Sequence, residues 1–232
     1  MKNTKEKKST SASFKNLESG NPTAKRFVVF LDIMGFKDRV ARYKHAVILN
    51  DLKQLANFIS ENICSAEFIF TMFSDSIIIL SMNDDYITFK KLIELTNAVV
   101  EKSIELKIPI KGAIASGECT VLSGDKSLYF GQPIIDAYML EENAELYNVV
   151  LHHTVEDNAI NLSEEFKEYL FDCDVKLKGG QSKHYVLAWF AKQLENSKAN
   201  LQSIRATVSD SPRRYIDNTL NCIETYEKAK KS

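Results

Sequence analysis

Residues 27–36, FVVFLDIMGF, set an aspartate directly after five consecutive apolar residues and three positions before a glycine. An apolar run of this length, bounded by a turn signal, reads as a strand buried on both faces that leaves its sheet at the glycine. A second stretch, EFIFTMFSDSIIIL (67–80), divides at Ser74-Asp75-Ser76 into two β-rich runs, a tight hairpin. Between them, Val40, Val47, Leu52, Leu55, Phe58 and Ile59 recur at near-helical spacing over 38–62. A strand, a helix and a hairpin in that order restrict the possible sheets severely.

The pattern continues with a helix over 85–107, carrying Ile87, Leu92, Leu95, Val99, Ile104 and Leu106 on one face. After Pro109 come a strand to residue 122, a short strand at 127–131, and a helix over 133–146 that begins with Pro133. Strands are expected at 147–152, 172–178 and 184–190. The order is β-α-β-β-α-β with further pieces. It predicts an α+β fold with a ferredoxin-like βαββαβ core, a mainly antiparallel sheet and helices packed on one face. Asp210-Ser211-Pro212 caps a last helix with Ile216, Leu220 and Ile223 as its stripe, expected to dock on the body or on a second subunit.

The chain has 232 residues, 44% apolar and 26% charged, which suits a folded domain with a tail. Residues 1–26 hold seven basic and two acidic side chains and one aromatic, Phe14, and read as a disordered basic arm. A core domain is expected over 27–192 and a helical extension over 193–232. The net charge of −1 excludes attachment to nucleic acid by bulk positive charge. No apolar run approaches the roughly 20 residues of a membrane helix, and the polar N-terminus has no apolar leader. Cys64, Cys119, Cys173 and Cys222 are widely spaced without a C-x-x-C, so four reduced thiols in a cytoplasmic protein are expected. His152-His153 would point to opposite sides of a strand and so not share an ion.

Asp32 and Asp75 each stand where an apolar strand meets a turn, and the βαββ order brings both to the same end of the sheet. Either could simply cap its turn. Held close together, however, two carboxylates repel, and a divalent cation relieves that cost.

These residues resemble the class III nucleotide cyclases. Phe30-Leu31-Asp32-Ile33-Met34-Gly35-Phe36 fits that family's F-x-D-I/V-x-G-F, and Phe73-Ser74-Asp75-Ser76 takes the place of its hairpin aspartate, with Ser74 where a glycine is usual. Gly112-Ala113-Ile114-Ala115-Ser116-Gly117, Phe130-Gly131 and Lys178-Gly179-Gly180 match later segments more loosely, so the likeness spans about 27–190. The resemblance implies two divalent cations, Mn²⁺ or Mg²⁺, on Asp32, Asp75 and the Ile33 carbonyl. It implies attack of a ribose 3′-oxygen on the α-phosphorus of a nucleoside triphosphate, and a homodimer with shared active sites.

The departures are informative. The family's purine enzymes place an Asn and an Arg four and eight residues after Gly131; here those positions are Ile135 and Met139. Lys111 and Lys178 are the candidates to supply that catalytic charge. Base recognition falls to Phe30, Thr71 and Leu128, where purine enzymes carry charged readers at the last two positions. These features, with the D-A-Y-x-L-E stretch at 136–141, are most similar to the Pycsar pyrimidine cyclases of bacterial anti-phage defence. That similarity implies CTP as substrate, with UTP as the alternative, a cyclic-nucleotide-activated effector as a separate partner, and a preference for Mn²⁺. A catalytically inactive nucleotide-binding module, a purine cyclase with altered contacts and a ferredoxin-like RNA-binding domain are the rival readings; the last needs a basic sheet face, whereas 27–232 carries −6.

Overall fold

A computed structural model describes residues 22–122, 127–160, 168–208 and 210–231. The first strand, β1 (Thr23–Ile33), leads into two helices, α1 (Phe36–Arg42) and α2 (His45–Asn62). The hairpin β2 (Phe68–Phe73) and β3 (Ser76–Ser81) precedes α3 (Tyr86–Glu105) and the long β4 (Ile110–Leu122). Then follow β5 (Leu128–Gly131), α4 (Gln132–Asn143), β6 (Val149–Leu151), α5 (Glu156–Ile160), β7 (Leu170–Leu177), β8 (Gly180–Leu187), α6 (Leu194–Arg205) and α7 (Asp210–Lys231).

The strands form one sheet in the order β2-β3-β1-β4-β6-β8-β7, with β5 paired to the outer end of β4. The β4–β6 pair is parallel and the others are antiparallel. The order β2-β3-β1-β4 is the ferredoxin-like core that the β-α-β-β-α-β pattern predicts.

Side-chain alternation along β1 sorts the molecule into two faces. Phe27, Val29, Leu31 and Ile33 enter the large core under α2, α3, α6 and α7. Val28 and Phe30 face the other way and pack with Ala113, Ala115 and Ala137 beneath α4. The expectation of helices on one face is therefore corrected: α4 covers the opposite face. Small residues in β4 make this approach possible. A Cβ added at Gly117 would come within 3.3 Å of Pro133 Cδ, at the start of α4.

Two boundaries also differ from expectation. β1 begins at Thr23, inside the segment read as an arm; the rest of that segment, 1–21, lies outside the described residues. Arg26 is buried there because its guanidinium donates to the carbonyls of Ser81 (3.0 Å), Met82 (2.9 Å) and Cys119 (3.3 Å). The helix expected over 38–62 breaks at Tyr43-Lys44, both extended. The C-terminal segment forms α6 and α7 and docks on its own sheet, where Ile216 and Ile223 are fully buried. There the Tyr147 N–H donates to Thr219 Oγ1 at 2.7 Å.

Gly112 marks the tightest contact between β4 and β1. A Cβ there would lie 2.4 Å from the Phe30 carbonyl oxygen and 2.5 Å from Leu31 Cδ2. Gly112→Ala should cost about 1–3 kcal/mol in denaturant unfolding. Gly179→Ala, where nothing lies within 4 Å, is the control and should change stability far less.

Candidate active site

Strand register places the acidic pair. Asp32 sits opposite Ser76 of β3 and opposite Lys111 of β4. Asp75 occupies the turn between β2 and β3, next to Ser74, whose φ of 58° is left-handed. The Ile33 N–H donates to the Asp75 carbonyl at 2.9 Å, tying that turn to the end of β1. Both aspartates thus meet at one end of the sheet, as their positions at strand ends predict. Burial, reinforced by the Asp75 charge, raises the Asp32 carboxyl from 3.8 to about 6; Lys111 opposes this and Glu142 adds to it.

The two lysines are held by the end of α4. Lys111 is buried, with its Nζ 2.8 Å from Glu141 Oε1 and donating to the Glu141 carbonyl at 2.7 Å. It also donates to the Ala144 carbonyl at 3.4 Å and lies 5.7 Å from the Tyr215 ring centre, so the ammonium is directed at α4 and the residue that follows it and at α7 rather than outward. Lys178, in the β7–β8 turn, pairs with Glu142 Oε2 at 3.0 Å, but both side chains are about half exposed. Burial raises the Glu141 carboxyl, while Lys178 lowers that of Glu142. No sequence motif marks Glu141 and Glu142 as partners of these lysines. Their signal was the acidic end of a helix, which also fits an ordinary solvated face.

Asp32, Asp75, Glu141 and Glu142 face two lysines, an excess of negative charge of the size one divalent cation carries. Hard carboxylate oxygens suit Mg²⁺ or Mn²⁺. Among the described residues no group of three or more His, Cys, Asp or Glu is arranged to hold a metal. Asp32 and Asp75 by themselves supply fewer oxygens than such an ion takes. His152 and His153 lie just beyond β6 rather than on it, and their rings stand 4.0 Å apart instead of on opposite sides of a strand.

The expected base-reading residues are only partly gathered. Phe30 pairs with Ile78, and Ile78 with Thr71, so all three stand on the α4 side of the sheet in one row. Phe30 is covered edge-on by Tyr138 of α4 at 5.4 Å. Leu128 pairs with Leu122 at the far end of β4 from Lys111, so a single chain does not bring it to Asp32.

Neither a protein-family model nor a curated protein matches the sequence. Solved structures do match the fold. The adenylyl cyclase CyaB of P. aeruginosa is 17% identical, with 71% of this chain and 93% of that chain covered at a TM-score of 0.54. The guanylate cyclase domain of RhGC from Catenaria anguillulae, in complex with GTP, is 14% identical, covering 70% and 95% at 0.54. A non-canonical dimeric guanylyl cyclase domain of the RhoGC fusion protein from the aquatic fungus Blastocladiella emersonii is 13% identical, covering 71% and 97% at 0.56. The chain has the fold of these cyclase domains.

Two outcomes follow from the electrostatics. The folded Asp32 carboxyl keeps its proton to higher pH than an unfolded one, so stability should fall as pH rises from about 4 to about 6. With Asp32 partly exposed, Asp32→Asn should gain roughly 1–2 kcal/mol above that window and nothing below it, measured as Tm against pH without added metal. Breaking the buried pair by Lys111→Met or Glu141→Gln alone should cost about 3–5 kcal/mol in denaturant unfolding. The double variant Lys111→Met/Glu141→Leu should recover most of that loss.

Proposed function

We propose that this chain is a nucleotide cyclase that converts a pyrimidine nucleoside triphosphate, CTP ahead of UTP, into its 3′,5′-cyclic monophosphate and pyrophosphate. The observation that carries the reading is the placement of Asp32 and Asp75 at one end of a cyclase-type sheet, with surplus negative charge around them. Asp32, Asp75 and the Ile33 carbonyl would hold two divalent cations, Mn²⁺ or Mg²⁺, which would supply Lewis acidity toward a ribose 3′-hydroxyl and positive charge toward the phosphates. In the reaction the bond from O3′ to the α-phosphorus forms, the bond to the bridging oxygen of pyrophosphate breaks, and the hydroxyl proton passes to solvent.

The chain's own residues position and balance charge. Asp32 and Asp75 present hard oxygens from the strand end and the turn. Lys111 offsets the Asp32 charge while its donors brace α4. Lys178 is the free-ranging cation, since an exposed pair such as its contact with Glu142 contributes about 0–1 kcal/mol and gives way to a phosphate readily. Thr71 and Phe30 share one face beside the site, and a threonine hydroxyl can donate to or accept from a pyrimidine edge.

Leu128 enters the site only across a dimer. Phe130, Ile135, Tyr138 and Met139 are exposed by 56%, 54%, 44% and 53%, an apolar surface on β5 and α4 for a second copy to cover. The pyrimidine substrate, the cytoplasmic setting and a role in anti-phage signalling through a separate effector rest on the sequence likeness to the Pycsar enzymes. Ile135 and Met139 also favour a second reading, a module that binds a nucleotide without turning it over, because neither side chain can donate to a phosphate.

Incubation with ATP, GTP, CTP or UTP and Mn²⁺, with products identified by mass, separates these readings. Cyclic CMP is the expected product. Cyclic AMP or cyclic GMP would overturn the pyrimidine assignment, and nucleotide binding without product would support the inactive module. Asp32→Ala and Asp75→Ala should each lower turnover by about a hundredfold or more, roughly 3 kcal/mol, with circular dichroism unchanged.

A further inference from the structure

We propose that Cys173 and Cys222 form a reversible dithiol–disulfide pair, oxidised by a small hydroperoxide that enters through the cleft above them. The two residues lie 49 positions apart in sequence, on β7 and α7, yet their sulfurs are 2.7 Å from one another. Both side chains are buried, at 4% exposure, so neither thiol faces bulk water. A cleft of about 260 Å³ reaches them and is lined by Asp174, Lys176, Gln181 and Asn221 as well as the cysteines themselves. A polar cleft of this size admits a molecule as small as hydrogen peroxide.

Either sulfur can donate its S–H to the other, so a thiolate formed on one is steadied by the thiol of the other. The Cys173 thiol gives up its proton and its sulfur attacks one oxygen of hydrogen peroxide; the O–O bond breaks, the departing hydroxide takes up that proton and leaves as water, and Cys173 becomes a sulfenic acid. The Cys222 thiol then attacks that sulfur, the S–O bond breaks, and a second water leaves as the disulfide forms. Two electrons pass from the thiols to the peroxide. A thiol reductant reverses the change by exchange.

The other two thiols offer no such chemistry. Cys119 is buried and raised by burial, and Cys64 is exposed. Among the described residues, no contact joins either of them to a second sulfur. Closing the bond would pin α7 to β7. The same helix holds Tyr147 through Thr219, carries Tyr215 beneath Lys111, and anchors the Glu145 carbonyl through Asn218. The inference rests on the packing of β7 and α7 and holds whether or not the chain is a cyclase.

The test uses the reduced full-length protein treated with hydrogen peroxide, then alkylated under denaturing conditions and digested. Titratable thiols should fall from four to two. A linked pair of peptides containing Cys173 and Cys222, lighter by two hydrogens than their sum, should appear and vanish with dithiothreitol. Tm should rise by on the order of 5 °C, because a bond spanning 49 residues constrains the unfolded chain. Cys64→Ser should go from three titratable thiols to one and keep the linked peptide and the rise in Tm. Cys222→Ser should abolish the linked peptide and leave a dimedone-reactive Cys173. Four persistent thiols, oxidation confined to Cys64, or a linkage between Cys64 residues of two chains would overturn the proposal. The peptide map of the unsubstituted protein decides it even if Cys222→Ser fails to fold.

Discussion

The register of β1 between β3 and β4 is the constraint on which the candidate site depends. Period-two alternation sends Leu31 and Ile33 into the large core and leaves Asp32 on the α4 side, opposite Ser76 and Lys111. A slip of one residue would bury the carboxylate among leucines and isoleucines and turn Leu31 outward. The apolar side chains of β1 therefore fix where the acid stands. The hydrogen bond from Ile33 to the Asp75 carbonyl adds the second acid to the same sheet end.

Electrostatics at that end are finely divided. Glu141 balances Lys111 inside the protein, while Glu142 balances Lys178 at the surface. Desolvation makes the first pair costly to break and worth little in net stability, so its contribution lies in fixing where α4 ends relative to β4. The second pair, solvated on both sides, constrains little. This difference separates two lysines that look equivalent in sequence. It leaves Asp32 and Asp75 without a full counter-charge.

Much of the fold was legible because its signals are local. The apolar run before Asp32, the Ser74-Asp75-Ser76 hinge and Pro133 at a helix start each encode an element without reference to distant residues. The break at Tyr43-Lys44 and the placement of α4 on the second face were not legible. The first carries no Gly or Pro, and the second depends on the small side chains of β4 meeting Pro133. Arg26 reads as part of a basic arm until the carbonyls of Ser81 and Met82 close around it.

By itself the sequence determined the strand and helix order and put Asp32 and Asp75 at strand ends, because hydrophobic periodicity and turn chemistry act over a few residues. Tertiary structure alone decided that Lys111 belongs to Glu141, that Leu128 stands far from Asp32 along β4, and that Cys173 meets Cys222 across 49 residues. Such pairings depend on how sheet and helices close on one another. Nothing in the local pattern of a chain specifies the partner of a buried charge or a distant thiol.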